Sequence, residues 1–148
     1  MAAEGTDMVR GSCLCGGIRI EAERVSLLRH CHCSTCRKET GSAFGTVAVV
    51  RPSDFRFVAG EDLVQHYRYP PDGTRAFCRV CGSKAPLALF AGTLVIVPAG
   101  MLDDDPGVRP ALHQFVGSKA PWWEIADSLP KFGRWVPGYE PKWAAAQG

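Results

Sequence analysis

Cys78-Arg79-Val80-Cys81-Gly82 sets two cysteines three positions apart and closes with a glycine, which lets the backbone turn tightly enough for both sulfurs to face one point. One such pair is half of a four-sulfur site and needs a second pair. Cys13-Leu14-Cys15-Gly16-Gly17 is the natural donor, because side chains at i and i+2 of an extended segment project to the same side. A third group, Cys31-His32-Cys33-Ser34-Thr35-Cys36, fuses C-x-C to C-x-x-C, so one short loop offers three sulfurs and leaves a fourth position open. These groups use all seven cysteines of the chain. Thiolate is the soft ligand that holds Zn²⁺; structural sites take four ligands, and a site with three keeps a place for water or substrate. The pattern therefore predicts two zinc ions, one structural and one catalytic or labile.

Other uses of the cysteines fit less well. A disulfide framework suits secreted chains with even counts, whereas this count is odd and Met1-Ala2-Ala3-Glu4-Gly5-Thr6-Asp7 has no apolar core of a signal peptide. A thioredoxin-type dithiol needs a C-x-x-C between strand and helix of a βαβ unit, and no such alternation surrounds Cys33 or Cys78. A third possibility makes both ions structural, with His30, His32 or a distant group completing the middle cluster.

The 148 residues are 46% hydrophobic and 22% charged, the profile of one globular domain with its own core. No apolar run reaches the length of a membrane span and no targeting signal is visible, so the expected location is cytoplasmic, where thiols stay reduced. The formal charge of +2 falls to about −1 once seven thiolates and two Zn²⁺ are counted. That is no footprint for nucleic acid, and Arg29, Arg37 and Lys38 near the middle cluster balance thiolate charge or meet an anionic substrate.

Short strands dominate the pattern. Ile18 to Glu23 alternates apolar and charged residues, and Thr46–Val50, Phe55–Val58, Leu63–Tyr69, Leu87–Phe90, Leu94–Val97 and Ala111–Val116 are β-rich runs bounded by Gly, Pro or Asp. The turn Tyr69-Pro70-Pro71-Asp72-Gly73-Thr74 leads into the strand that delivers Cys78. Helices are predicted only at Ser34–Thr40, with Ser34 as N-cap, and at Pro121–Leu129. The expectation is a mainly β chain with few short helices, divided into a flexible N-terminus (1–10), one zinc-binding domain (11–136) and a loosely held tail (137–148).

The ordered motifs G-S-C-L-C-G-G (Gly11–Gly17), C-H-C-S-T-C-R-K (Cys31–Lys38), G-S-A-F (Gly41–Phe44), F-C-R-V-C-G-S (Phe77–Ser83) and G-M-L-D-D-D (Gly100–Asp105) resemble the glutathione-dependent formaldehyde-activating enzyme family. S-K-A-P-W at Ser118–Trp122 and D-S-L-P-K-F at Asp127–Phe132 extend the likeness over nearly the whole chain. The resemblance implies an Mss4-like fold of several small curved antiparallel sheets around the metal sites. It implies a structural zinc on Cys13, Cys15, Cys78 and Cys81, and a second zinc on Cys31, Cys33 and Cys36. The implied activity is that of a carbon-sulfur lyase joining formaldehyde to the glutathione thiol.

A three-coordinate zinc suits that chemistry, since it can bind a thiol and lower its pKa. Three thiolates temper its Lewis acidity, which favours thiol activation and positioning over carbonyl polarisation. Glutathione carries two carboxylates, so Arg37 and Lys38, or Lys119, are candidate substrate-binding residues. His32 is expected to point away from the metal by alternation, and His66 and His113 to be surface or hydrogen-bonded residues. Trp122 and Trp123 can roof a pocket or anchor the C-terminal segment, and Asp103, Asp104 and Asp105 suit a solvated turn better than a cation site. The alternative to the enzyme is a non-catalytic zinc module that binds a protein partner, as in centromere-associated relatives of the domain. Such modules usually add a basic or disordered extension.

Overall fold

The computed structural model describes residues 8–71 and 73–137. Ten strands and one helix follow in order: β1 (Val9–Ser12), β2 (Arg19–Ala22), β3 (Leu27–Cys31), α1 (Ser34–Thr40), β4 (Gly45–Val50), β5 (Phe55–Ala59), β6 (Val64–Tyr69), β7 (Gly73–Cys78), β8 (Leu87–Leu89), β9 (Leu94–Pro98) and β10 (Pro110–Gln114). They form three small sheets, β1-β2-β5, β10-β3-β4-β9-β8 and the hairpin β6-β7. All neighbours are antiparallel except β10, which runs parallel to β3.

Burial follows the strand periodicity. Ile20 and Ala22 of β2 face the core while Arg19 is exposed, as the two-residue alternation requires. β4 sits between β3 and β9, and its Val47-Ala48-Val49-Val50 run is buried on both faces. Ile18, Ile20, Val50, Val97 and Cys78 are among the most buried side chains, so one sulfur of the four-cysteine group is itself part of the core.

Two predicted features differ. The cap of α1 is Cys33, one residue earlier than Ser34, and its Sγ accepts from Cys36 N at 3.3 Å. Pro121–Leu129 is not helical: a turn closed by Trp123 N on Ala120 O (3.2 Å) gives way to extended chain. Its polar groups are claimed elsewhere. Asp127 Oδ1 accepts from Leu129 N at 3.0 Å, and the carbonyl of Pro130 accepts from His113 N on β10 at 2.9 Å. Residues 1–7 and 138–148, on which most of the expected N-terminal and C-terminal segments fall, lie outside the described residues.

Gly60 ties β5 to the loop that carries Cys13 and Cys15. Its φ is +78°, and a Cβ there would lie 2.1 Å from Gly17 O and 2.7 Å from Gly17 C. Backbone cannot yield as a flexible side chain does, so both conformation and space demand glycine. Gly60→Ala is expected to destabilise the fold by about 3 kcal/mol or more, read as a lower thermal midpoint. An unchanged midpoint would show that the loop relaxes freely.

Candidate metal centres

The two outer cysteine groups are built as a matched pair of knuckles. In each, a left-handed glycine follows the second cysteine, and its N–H returns to the carbonyl of the first: Gly16 (φ +79°) to Cys13 O at 2.9 Å, Gly82 (φ +78°) to Cys78 O at 2.8 Å. Ser83 stitches the knuckles together, with Oγ accepting from Leu14 N at 3.1 Å and from Cys81 Sγ at 3.2 Å. Cys13 and Cys15 sulfurs are 3.6 Å apart, and those of Cys15 and Cys78 3.9 Å. A tetrahedron with metal–sulfur bonds of about 2.3 Å has edges of about 3.8 Å, so these separations fit one ion between the four sulfurs. All four lie within 4.8 Å of one another.

The middle group is assembled where β3 meets α1. Cys31 ends the strand, Cys33 caps the helix, and Cys36 lies one turn further on. Their sulfurs also converge within 4.8 Å, and no other His, Cys, Asp or Glu among the described residues joins them. Three soft donors suit a thiophilic ion with one coordination position left for another ligand. Both cysteine groups can therefore hold a metal, and all seven cysteines are free thiols. Cys31 and then Cys36 push the Cys33 thiol well down, while Cys31 and Cys33 push Cys36 well up.

Charge near the trio comes from the strand that delivers Cys78, from a residue that is not among the sequence candidates. Arg75 of β7 points Nη2 at Cys36 Sγ (3.8 Å), sits over the Tyr69 ring, and pairs through Nε with Glu39 at 3.0 Å. Lys84 joins the same carboxylate at 3.2 Å. No periodicity or motif singles out Arg75. It becomes visible only when the β6-β7 hairpin is laid against α1.

The predicted cations are placed otherwise. Arg37 directs Nε to Ser118 O at 3.2 Å, Lys38 is exposed, and Lys119 donates to the carbonyls of Ala120 and Trp123. His32 turns from the sulfurs to His113, and burial first, then its basic neighbours, lowers its pKa to about 4. His66 is exposed. The three aspartates are ordinary anchors: Asp103 accepts from Ser12 Oγ, Asp104 pairs with Arg10, and Asp105 with Arg109. Trp122 and Trp123 remain 70% and 41% exposed and line an open groove with Val116, Lys119 and Ile125, so they neither close a roof nor sink into the core.

A second cleft, of about 620 Å³, is lined by Cys13, Leu14 and Ser83 of the first centre together with Thr40, Gly45, Thr46 and Lys84, and by none of the three middle cysteines. Gly45 marks how close it comes to the trio, since a Cβ there would stand 3.5 Å from Cys36 Cβ.

Residues 8–118 match the family of the glutathione-dependent formaldehyde-activating enzyme, three-quarters of the chain. The chain belongs to that family. No curated protein matches it significantly. Among solved structures, the crystal structure of a Rhodobacter sphaeroides protein is similar at 29% identity with a TM-score of 0.53, covering 68% of this chain and 91% of that one. The fold is thus the mainly β, several-sheet architecture of this family.

The two centres are expected to differ in what their loss does. Cys81→Ala should abolish cooperative unfolding, because an ion there joins segments 63 residues apart and its binding is folding free energy. Cys33→Ser keeps an oxygen to cap α1 and should leave a folded protein, its thermal midpoint lowered by a few degrees at most on the scale of about 1 kcal/mol for a weakened cap. Equal loss of structure in both, followed by circular dichroism, would make both centres structural.

Proposed function

We propose that the chain is a zinc-dependent carbon-sulfur lyase that forms or cleaves the S-hydroxymethyl adduct of a small thiol such as glutathione with formaldehyde or a related aldehyde. In this reading Cys13, Cys15, Cys78 and Cys81 hold a structural zinc, and Cys31, Cys33 and Cys36 hold the catalytic one. The observation that carries it is the convergence of only three sulfurs in the middle group, in a chain of this family. The free thiols suit a reducing compartment such as the cytoplasm. Among the described residues no helix is long and apolar enough to cross a membrane.

Zinc on the trio would supply a position at which an incoming thiol loses its proton more easily. The reaction adds S–H across the carbonyl: a sulfur–carbon bond forms, the C=O π bond is spent, and the thiol proton ends on the aldehyde oxygen. Cleavage is the reverse. Arg75 offsets negative charge at Cys36, and its Glu39 partner holds the guanidinium there. Arg37 and Lys38 on α1, of which Lys38 is exposed, are the candidate cations for the carboxylates of glutathione.

Hemithioacetal formation is fast unaided, so the informative measurement is exchange at equilibrium. Exchange NMR between hydrated formaldehyde and its glutathione adduct should show a rate enhancement by the zinc-loaded protein that Cys33→Ser lacks. Equal exchange with wild type, variant and no protein, across several thiols and aldehydes, would favour the binding module.

A further inference from the structure

His32 stands between two cysteines of the trio, and its ring is fully buried. Its Nε2 lies 2.8 Å from Nδ1 of His113, which is 2% exposed, and His113 Nε2 lies 2.9 Å and 3.1 Å from the two carboxylate oxygens of Asp127. An ionised carboxylate only accepts, so His113 donates from Nε2, and the three side chains form one hydrogen-bonded line from Asp127 through His113 to His32. The bond to His113 is the one ring hydrogen bond of His32, since its buried Nδ1 has no partner among the described residues.

The surroundings hold this line in place. Phe44 packs against the rings of His30 and His32 at 4.6 and 4.9 Å, and Trp123 covers Phe44 at 5.9 Å. The main chain runs parallel to the side-chain links. His32 N donates to Gln114 O, His113 N to Pro130 O and Phe132 N to His113 O, each at 2.9 Å. The segment carrying Asp127 is thus laid along the far side of β10 from β3. Cys31 ends a strand and Cys33 begins a helix cap, so His32 is the only residue between two fixed elements, and rotation of its backbone would part the two sulfurs.

We propose that His113 and Asp127 are positioning residues of the three-cysteine centre: they clamp His32 and so set the spacing of Cys31 and Cys33. The segment beyond residue 118 then completes a metal site to which it gives no ligand. The proposal rests on the reading of the trio as a metal centre and adds the groups that hold it in register. Outer-shell partners that fix a ligand's orientation act in this way.

The test uses the zinc-loaded protein challenged with a chelator, and Co²⁺ exchanged into the labile centre, where thiolate-to-cobalt absorption reports geometry. Asp127 is half-exposed, so Asp127→Ala leaves no cavity in the core, and His113→Phe probes the next link. Both are expected to release the trio's ion on the order of 10- to 100-fold more readily and to alter its cobalt spectrum, with the ion at the four-cysteine centre and the circular dichroism unchanged. Asp127→Asn keeps an oxygen that accepts from His113 and Leu129, and should restore affinity and spectrum to near wild type. A wild-type spectrum and affinity in Asp127→Ala would overturn the proposal, as would equal loss from both centres or no rescue by asparagine. A wild-type protein that holds no second ion overturns the underlying reading instead, and that is seen before any variant is compared.

Discussion

Four sulfurs drawn from two loops 63 residues apart converge on one point, and the rest of the structure depends on that convergence. Thiols packed at about 3.8 Å cannot all ionise without a cation between them, so an ion bound there would couple its binding to folding. The consequence reaches the core. Cys78 is fully buried among Ile18, Ile20 and Val97, and Gly60 presses on Gly17 beside the other knuckle. Loss of these contacts would release β1, β2 and β5 together.

The same strand that carries Cys78 to the first centre carries Arg75 to the second. On β7 the two residues are three apart and project to opposite faces, so an order imposed at one end places a guanidinium against Cys36 at the other. The middle centre is thus held from two directions, by Arg75 on the side of the hairpin and by His113 on the side of β10. Neither group is itself a ligand. An ion held by three soft donors would keep a position for an external thiol, which a closed four-sulfur site cannot offer without losing a ligand.

What could be read in advance follows from which signals are local. The cysteine spacings and turn glycines are local, and they placed both sulfur clusters; the runs at Thr46–Val50 and Leu94–Val97 are apolar and β-branched, and they emerged as β4 and β9. β3 was missed because Arg29, His30 and Cys31 break its apolar pattern, and each is buried or half-buried only through neighbours supplied by β4 and β10. β1 is four residues with a glycine that exists to let Met101 O approach. Pro121–Leu129 has the punctuation of a helix, but the ring of His113 and the edge of β10 offered its polar groups better partners. Arg75 and His113 reach the trio's surroundings only by tertiary placement, which no spacing encodes, whereas the motif holding Asp127 is visible in the sequence although its contact with His113 is not.

Zinc K-edge X-ray absorption of the fully loaded protein measures the central claim directly, because it counts the atoms bound to the ions. One closed and one open centre predict about three and a half sulfurs and half a lighter atom per zinc, with the sulfur count rising to about four on adding glutathione. Four sulfurs per zinc from the outset, or a count that glutathione leaves unchanged, would contradict the account.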